Sequence, residues 1–426
     1  FNLLTSVMDD MRPENKYLHL MDEQEAITKA QALLNRPGDA NVSPLAVYRH
    51  AAKADSVQQR RPNVVLIMME SMSAKFMKHF GQSETLTPFL DSLYTRSISF
   101  RNFYSAGIHT NHGLYATLYS FPAMMKRNLM KGSVIPRYSG LPTVLKENGY
   151  YNLFFMTHEG QYDNMNAFFR TNGYDEVFSQ EDYPVDKVVN SFGVQDDFLY
   201  DYAIPVLNQR AATGQPFFAT LLSISNHPPY VIPPFFHPKT SEPEMQIVEY
   251  ADWALRQFFE EARKQPWFDN TIFVLEGDHG KLVGDAECEL PESYNHIPLM
   301  IYSSRIQPEE KTAFGGQVDI QPTILGLLNI DYLQNNFGVD LLKEERPCMF
   351  YTADNMVVGR NDTLLYLYNY ETQQELTYDI GNGKLNAVPM DDSFFPLKEY
   401  SFSMLQSAEF LVKHGKTLNS IPFTQQ

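Results

Sequence analysis

Carboxylate, imidazole and hydroxyl side chains follow several apolar runs of this sequence. Glu70 ends one such run, Asp278 and His279 follow a second between two glycines, and Thr110 follows a third within a glycine-flanked segment. Two carboxylates and an imidazole are a common ligand set for a divalent cation such as Zn²⁺ or Mn²⁺. A cation beside a hydroxyl can lower the hydroxyl pKa and so create a nucleophile. These residue types predict a metal-dependent enzyme.

Taken singly, each of these residues also has an ordinary structural interpretation. Asp278 and His279 could form a polar turn after a strand, and Glu70 could be a solvated carboxylate at a strand end or helix start. Thr110 precedes a helical pattern, so it could be a plain helix cap. If it is the nucleophile, the free amides of that helix start would favour a phosphoryl group.

Histidines elsewhere in the chain could contact a substrate. His227 follows a buried run and precedes two prolines, and His296 leads into another apolar run. Imidazole can donate to phosphate oxygens or act as a general acid. We expect both to line the pocket, with structural loop histidines as the alternative. Weaker candidates of the same kind are His109 and His158.

The elements that position these residues are predicted by apolar runs that alternate with helical patterns. Continuous apolar runs are typical of strands buried on both faces of a parallel sheet. The predicted strands include 64–69, 98–100, 150–156, 217–224 and 271–275, and the predicted helices include one from 87, 141–148 and 245–264. We therefore expect a doubly wound, mainly parallel α/β sheet with helices on both faces. Ligands bind such sheets beyond the carboxyl ends of the strands.

Three regions differ in pattern. Residues 1–60 are polar and predict an N-terminal helical linker, with a helix that begins near Asp22 and is broken at Pro37 and Gly38. Residues 61–330 carry the α/β alternation of a catalytic domain. Residues 331–426 predict a small C-terminal α+β subdomain, with strands at 363–368 and 375–379 and a final helix at 403–412.

Composition narrows the function classes. The 426-residue chain is 43% hydrophobic, enough for a packed core, and its net charge of −17 argues against nucleic acid as a partner. Cys288 and Cys348 could form one disulfide or remain free thiols. No stretch approaches the length of a membrane span. Because Phe1 is not an initiator methionine, we expect a fragment or processed product, and whatever precedes it, including membrane helices, lies outside this sequence.

Taken together, Glu70, Thr110, Asp278 and His279 resemble the extracellular domain of lipoteichoic acid synthases and related phosphoglycerol or phosphoethanolamine transferases. These enzymes belong to the alkaline phosphatase and sulfatase superfamily. The resemblance covers roughly residues 60–330. It is carried by the segments 63–71, 87–90, 102–122, 225–230, 267–280 and 296–300.

The resemblance implies a site and a reaction. Glu70, Asp278 and His279 would bind one divalent metal ion, with Mn²⁺ expected and Zn²⁺ or Mg²⁺ as alternatives, and Thr110 would be both ligand and nucleophile. A phospho-head-group would pass from a phospholipid donor through a phospho-threonine intermediate to an envelope glycan or lipid acceptor. The implied location is extracytoplasmic and membrane-anchored. A phosphate-ester hydrolase and a catalytically silent binding or sensor domain are the alternative functions.

The sequence departs from this family in two places. Where lipoteichoic acid synthases carry a Trp and an Arg that contact the glycerol-phosphate head group, this chain has Asp163 and Met165, and we expect Asn164 of the same loop to contact substrate. The residue before the nucleophile is His109 rather than lysine. These changes put the phosphoglycerol substrate in question. Sulfate-ester hydrolysis would need a Cys or Ser nucleophile in a Cys/Ser-x-Pro-x-Arg context, which the segment 107–113 lacks.

Overall fold

An eight-stranded mixed sheet forms the centre of the protein in the computed structural model, which describes residues 17–36, 43–52, 54, 61–132 and 134–419. Its strands are β2 (Asn63–Met69), β3 (Ile98–Tyr104), β4 (Tyr151–Met156), β5 (Glu176–Phe178), β6 (Phe217–Leu222), β7 (Thr271–Gly277), β8 (Leu299–Tyr302) and β9 (Glu309–Gly316). Their spatial order is β5-β4-β6-β2-β7-β8-β3-β9. Only β8 runs antiparallel to both of its neighbours, β7 and β3. The expected mainly parallel sheet is confirmed.

Side-chain alternation along the central strand explains why both faces of the sheet are covered. All seven residues of β2 are buried. Val64, Leu66 and Met68 point into one hydrophobic cluster, and Val65 and Ile67 point into the other. A strand with apolar residues on both faces must lie between two layers of helices.

Helices cover the two faces of the central sheet, and the first and last helices pack on each other beside the C-terminal region. They are α1 (Glu23–Leu34), α2 (Pro88–Tyr94), α3 (Thr110–Tyr119), α4 (Leu141–Glu147), α5 (Met165–Thr171), α6 (Asp196–Ala212), α7 (Pro243–Ala262), α8 (Ile320–Leu327) and α9 (Phe395–Lys413). Helices α2, α4 and α7 lie where the sequence predicts them. Among the described residues, no helix combines the length and apolar character needed to cross a bilayer.

The C-terminal region contains a five-stranded antiparallel sheet that α9 covers. Its strands are β11 (Met349–Thr352), β12 (Met356–Arg360), β13 (Leu364–Asn369), β14 (Gln374–Asp379) and β15 (Asn386–Ala387). The two predicted strands correspond to β13 and β14. The final helix begins at Phe395, eight residues before the predicted start, because Pro396 occupies its first turn, where proline is favoured.

The described part of the N-terminal region packs on the C-terminal region. Helix α1 begins after Asp22, whose side chain accepts a hydrogen bond from the Glu25 amide (2.9 Å), as a helix cap does. The Leu18 amide donates to Glu409 of α9 (3.1 Å). Strand β1 (Tyr48–Ala51) pairs antiparallel with β10 (Tyr332–Asn335). The predicted helix break at 37–38 and residues 1–16 and 55–60 of the predicted linker lie outside the described residues.

Candidate active site

The pairing of β2 with β7 brings two acidic residues side by side. The two strands are parallel neighbours, with Met69 opposite Gly277. Glu70 directly follows β2 and Asp278 directly follows β7, so both lie at the carboxyl edge of the sheet. Both are buried, with 1% and 0% of their surfaces exposed. His279 follows at the same edge and keeps 13% of its side chain exposed.

These three side chains form a compact cluster. One ligand atom from each of Glu70, Asp278 and His279 lies within 4.8 Å of the others. His279 Nε2 is 3.9 Å from Glu70 Oε1 and 3.6 Å from Asp278 Oδ2. Ser71, which has a positive φ of 50°, donates its amide to Asp278 Oδ1 (2.8 Å) and its hydroxyl to Glu70 Oε1 (2.7 Å). Ser71 therefore fixes the orientation of both carboxylates.

The free atoms of this cluster fit a divalent cation. Asp278 Oδ2 is buried and accepts no hydrogen bond from any described residue. Burial raises the pKa of Glu70 well above its usual range, and the nearby Asp278 carboxylate raises it further. The His279 Nδ1–H can donate to the Gly280 carbonyl (2.7 Å), which leaves Nε2 with its lone pair toward the carboxylates. A cation between the two buried carboxylates would relieve their mutual repulsion.

Thr110 joins the cluster from the start of α3. It is the first residue of the helix, as the sequence predicts, and His109 precedes it in an extended conformation. The Thr110 hydroxyl donates to Glu70 Oε2 (3.4 Å). A Cβ added to Gly113 would lie 2.4 Å from the Asp278 carbonyl oxygen, so only glycine allows α3 to approach β7 this closely. The structure therefore brings all four predicted metal and nucleophile residues together.

His109 makes a contact that links the two parts of the chain. Its Nε2 lies 2.7 Å from Asp354 Oδ1, in the turn between β11 and β12. The hydrogen bond to His109 holds the pKa of the Asp354 carboxyl below its usual value. His112 lies beside His109 at a ring separation of 5.0 Å and is fully buried, and burial lowers its pKa to about 3. A neutral imidazole thus lies beneath the first turn of α3.

Two of the predicted substrate histidines lie in one aromatic wall. The His158 ring is 4.7 Å from Tyr162, and the His227 ring is 4.0 Å from Phe192. Tyr162 and Phe192 are themselves in edge contact at 6.3 Å. His158 is buried, which lowers its pKa, whereas His227 is half-buried and bonds through Nδ1 to the Pro228 carbonyl (2.6 Å). Of the two, His227 is the one with access to a substrate.

The loop that departs from the family pattern lies beside the nucleophile. Asp163 and Asn164 both adopt left-handed backbone conformations, with φ of 50° and 62°. Asp163 accepts a hydrogen bond from Asn111 (3.3 Å), the residue after Thr110, and pairs with Lys131 (3.0 Å). The Asn164 amide donates to the Met130 carbonyl (3.1 Å).

His296 lies outside this group. Its Nε2 contacts the Arg101 carbonyl oxygen at 2.8 Å, and its ring stacks on Tyr104 and meets the edge of Phe80. Burial lowers the pKa of His296. The carboxylate whose charge opposes this shift is Glu292, not Glu70 or Asp278. The structure therefore does not bring His296 to the metal cluster, because its ring turns toward β3.

Residues that the sequence reasoning missed also surround the site. Lys281 lies two residues after His279, and its Nζ donates to Asn226 Oδ1 (2.7 Å) and the Tyr230 hydroxyl (3.0 Å). Burial lowers the pKa of Lys281 to about 8. Its position directly after the glycine-flanked Asp-His pair was a usable signal. No sequence signal pointed to Asp354, because it is 245 positions from His109 in sequence.

Comparison with known sequences supports the predicted superfamily. The sulfatase family model matches residues 62–330. Lipoteichoic acid synthase 2 of Bacillus subtilis (strain 168) is 24% identical in an alignment 315 residues long that covers 66% of this chain and 47% of that protein. Lipoteichoic acid synthase 1 of the same bacterium is 25% identical in an alignment 350 residues long that covers 76% of this chain and 53% of that protein. The chain spans about half the length of these relatives.

Comparison with solved structures supports the predicted fold. A protein of the alkaline phosphatase superfamily from Vibrio parahaemolyticus superimposes with a TM-score of 0.83 at 26% identity, covering 94% of this chain and 98% of that one. The lipoteichoic acid synthase LtaP from Listeria monocytogenes gives a TM-score of 0.73 at 20% identity, covering 92% and 98%. The expected superfamily and fold are confirmed. The chain belongs to the sulfatase family, a family of enzymes, and has the fold of the alkaline phosphatase superfamily.

Proposed function

We propose that this chain is the catalytic part of a metal-dependent phosphotransferase that moves a phospho-head-group from a lipid to an acceptor of the cell envelope. One observation carries the proposal. The Thr110 hydroxyl lies at a helix N-terminus and bonds to Glu70, inside a buried cluster of two carboxylates and one imidazole. A helix N-terminus stabilises the negative charge of a phosphoryl group.

The proposed metal ligands are Glu70, Thr110, Asp278 and His279, and the proposed ion is Mn²⁺. The carboxylate and hydroxyl oxygens of this set suit Mn²⁺, and the imidazole would also suit Zn²⁺, the alternative ion. When bound, the cation would lower the pKa of the Thr110 hydroxyl and neutralise charge on the phosphoryl oxygens.

The reaction would proceed in two displacements. The Thr110 hydroxyl gives up its proton and its oxygen forms a bond to phosphorus while the bond from phosphorus to the lipid glycerol oxygen breaks, and that oxygen leaves with a proton. An acceptor hydroxyl then loses its proton and forms a bond to the same phosphorus while the bond from phosphorus to Thr110 breaks, and Thr110 takes a proton back. His227 is half-buried in the aromatic wall and His109 is held by Asp354, so these two imidazoles are the proposed groups for moving the protons.

The proposed donor is a phospholipid with a phosphoglycerol or phosphoethanolamine head group, and the proposed acceptor is an envelope glycan or lipid. The names of the relatives support a substrate of the lipoteichoic acid type. Asp163 provides a negative charge and Lys131 a positive charge beside Asn111, at the place where a head group would lie. The proposed location is extracytoplasmic and membrane-anchored. The absence of Cys and Ser from residues 107–113 disfavours sulfate esters.

The test is transfer from vesicles. The Mn²⁺-loaded chain is incubated with vesicles of phosphatidylglycerol or phosphatidylethanolamine, and diacylglycerol release is measured together with mass spectrometry of the peptide that contains Thr110. We expect diacylglycerol and a phospho-head-group adduct on Thr110 with one of the two lipids. Diacylglycerol with only the free head-group phosphate as co-product would indicate a hydrolase. No release from either lipid, with metal bound, would contradict the proposal and favour a binding domain.

A further inference from the structure

Lys281 places a half-buried positive charge beside the candidate metal cluster. It follows Gly280 at the end of β7, and its Nζ lies 4.9 Å from the centre of the Tyr230 ring and 5.4 Å from that of Phe76. Two of its three N–H groups are used by Asn226 and Tyr230. These two partners are neutral, so they orient the ammonium group without cancelling its charge.

No carboxylate forms an ion pair with Lys281 in the part of the chain that the structure describes. Other lysines near this edge are paired: Lys75 contacts Glu287, and Lys131 contacts Asp163. Removing an ammonium group from water without a counter-ion is costly, and an anion recovers that cost. A half-buried lysine with neutral partners and one remaining donor is therefore suited to an anionic ligand.

A short hydrogen-bond chain fixes Lys281 relative to the metal cluster. Asn226, which accepts from Lys281, donates its side-chain amide to the Ser71 carbonyl (3.1 Å). Ser71 in turn holds both Glu70 and Asp278. The ammonium group is thus tied through Asn226 and Ser71 to the two carboxylates of the candidate metal site. Groups that must act on one substrate are held in this way.

We propose that Lys281 binds a non-bridging oxygen of the substrate's phosphodiester, with Asn226 and Tyr230 as positioning residues. The inference deepens the proposed function and depends on it. A phosphodiester has two non-bridging oxygens that share one negative charge. The helix N-terminus and the metal site would contact one of these oxygens. Lys281 would contact the other, and this second contact selects for an anionic ester.

The test uses inorganic phosphate as the probe and the full chain loaded with Mn²⁺. Phosphate binding is measured by calorimetry for the unaltered chain, Lys281→Met and Lys281→Arg, with metal content and Tm recorded for each. Lys75→Met is the matched control, because Lys75 is already paired with Glu287. We expect at least about a tenfold weaker Kd in Lys281→Met, as the loss of one charged hydrogen bond implies, and recovery of most of the affinity in Lys281→Arg.

Other outcomes separate the two proposals. Equal phosphate binding by Lys281→Met and the unaltered chain overturns the role of Lys281 but leaves the proposed function intact. Failure of the unaltered, metal-loaded chain to bind phosphate overturns both. Loss of Mn²⁺ from Lys281→Met and from the shape-conserving Lys281→Gln would assign Lys281 to support of the metal ligands and overturn substrate binding. A steady-state assay on a phosphodiester should show the change mainly in KM.

Discussion

At the scale of single residues, Glu70 and Asp278 are two neighbouring buried carboxylates, and no described lysine or arginine forms an ion pair with either of them. Both carboxylates are buried, and Asp278 Oδ2 has no donor among the described residues. Ser71 donates to one oxygen of each, and Thr110 donates to the other oxygen of Glu70 at 3.4 Å. A cation would satisfy Asp278 Oδ2 and offset the charge of both carboxylates, which is the physical reason to place the chemistry here.

Thr110→Ala should abolish turnover and change stability by no more than about 1 kcal/mol, because the hydroxyl makes a single 3.4 Å hydrogen bond. The checks are the rate with a phosphodiester and the Tm. Thr110→Ser, which keeps a hydroxyl at the same place, is the control and should retain part of the rate. Full activity in Thr110→Ala would require a different nucleophile.

His227→Ala should lower the rate about a hundredfold with metal retained, since a positioned imidazole contributes that much as a general acid. His296→Ala is the matched comparison. Its ring bonds to the Arg101 carbonyl and stacks on Tyr104, so we expect loss of stability but little loss of rate. An unchanged rate in His227→Ala would remove this histidine from the mechanism.

Sequence reasoning worked best for residues at strand ends. Glu70 and Asp278 could be predicted because buried apolar runs end directly before or near them, and parallel neighbours share an edge. His296 sits at a similar place, yet its ring turns toward β3, and local sequence does not encode that rotation. Lys281 could have been found from its position directly after the glycine-flanked pair, whereas Asp354 depends on a contact with a distant residue, His109, which no spacing rule reveals.

At the scale of elements, the approach of α3 to β7 sets the distance between nucleophile and metal ligands. Gly113→Ala should displace α3, because the added Cβ would meet the Asp278 carbonyl oxygen at 2.4 Å. Overpacking of this kind costs about 1–3 kcal/mol. We expect a larger loss of rate than the change in Tm explains, since Thr110 moves with the helix.

The control for that change is Gly381→Ala, at the end of β14, where the nearest atom to an added Cβ is the Thr363 Cγ2 at 3.3 Å. A side-chain methyl can yield by a few tenths of an ångström, whereas a backbone carbonyl at a strand end cannot. An unchanged rate in Gly113→Ala would show that α3 has room to shift without moving Thr110.

Helices α2 and α7 are joined by a buried carboxylate. Asp252 of α7 accepts hydrogen bonds from the Phe89 and Leu90 amides (both 2.9 Å) at the start of α2, and burial raises its pKa to about 7 from 3.8. Between pH 3.8 and 7 the folded chain therefore holds a proton that the unfolded chain has released. Stability should fall as pH rises through this window, by up to about 1.4 kcal/mol per pH unit from this group.

Asp252→Asn should remove that contribution. The measurement is the free energy of unfolding by urea at several pH values between 4 and 8 for both proteins. The difference between the two slopes isolates Asp252 from the other buried acids. Identical slopes would mean that Asp252 is ionised in the folded chain across the whole range.

The element predictions were most accurate in the parallel half of the sheet. Buried strands there are continuous apolar runs, which single-sequence patterns detect well. Strand β9 (Glu309–Gly316) was missed because its first residues are charged and lie at the edge of the sheet. The predicted start of α9 is wrong because Pro396 lies in the first turn of the helix, a position where proline is favoured, and the apolar pattern begins only later.

At the scale of the whole molecule, metal binding should add to stability, because the proposed ligands come from three separate segments of chain. Removing metal with a chelator should lower the Tm, and restoring Mn²⁺ at a hundredfold excess over its Kd should return about 2.7 kcal/mol. Asp278→Asn combined with His279→Ala should show no response to either treatment. A metal-dependent Tm in that double variant would place the ion elsewhere.

The same separation of segments has a consequence for the order in which the protein folds. The hydrogen bond between Ser71 and Asp278 spans 207 positions, and that between His109 and Asp354 spans 245. Contacts between distant segments pay a large loop-closure entropy and form slowly. During refolding, helical circular dichroism should therefore recover before catalysis. A partly folded chain would have most of its helices but no candidate active site, so nascent protein could not catalyse the proposed transfer before its sheet closes.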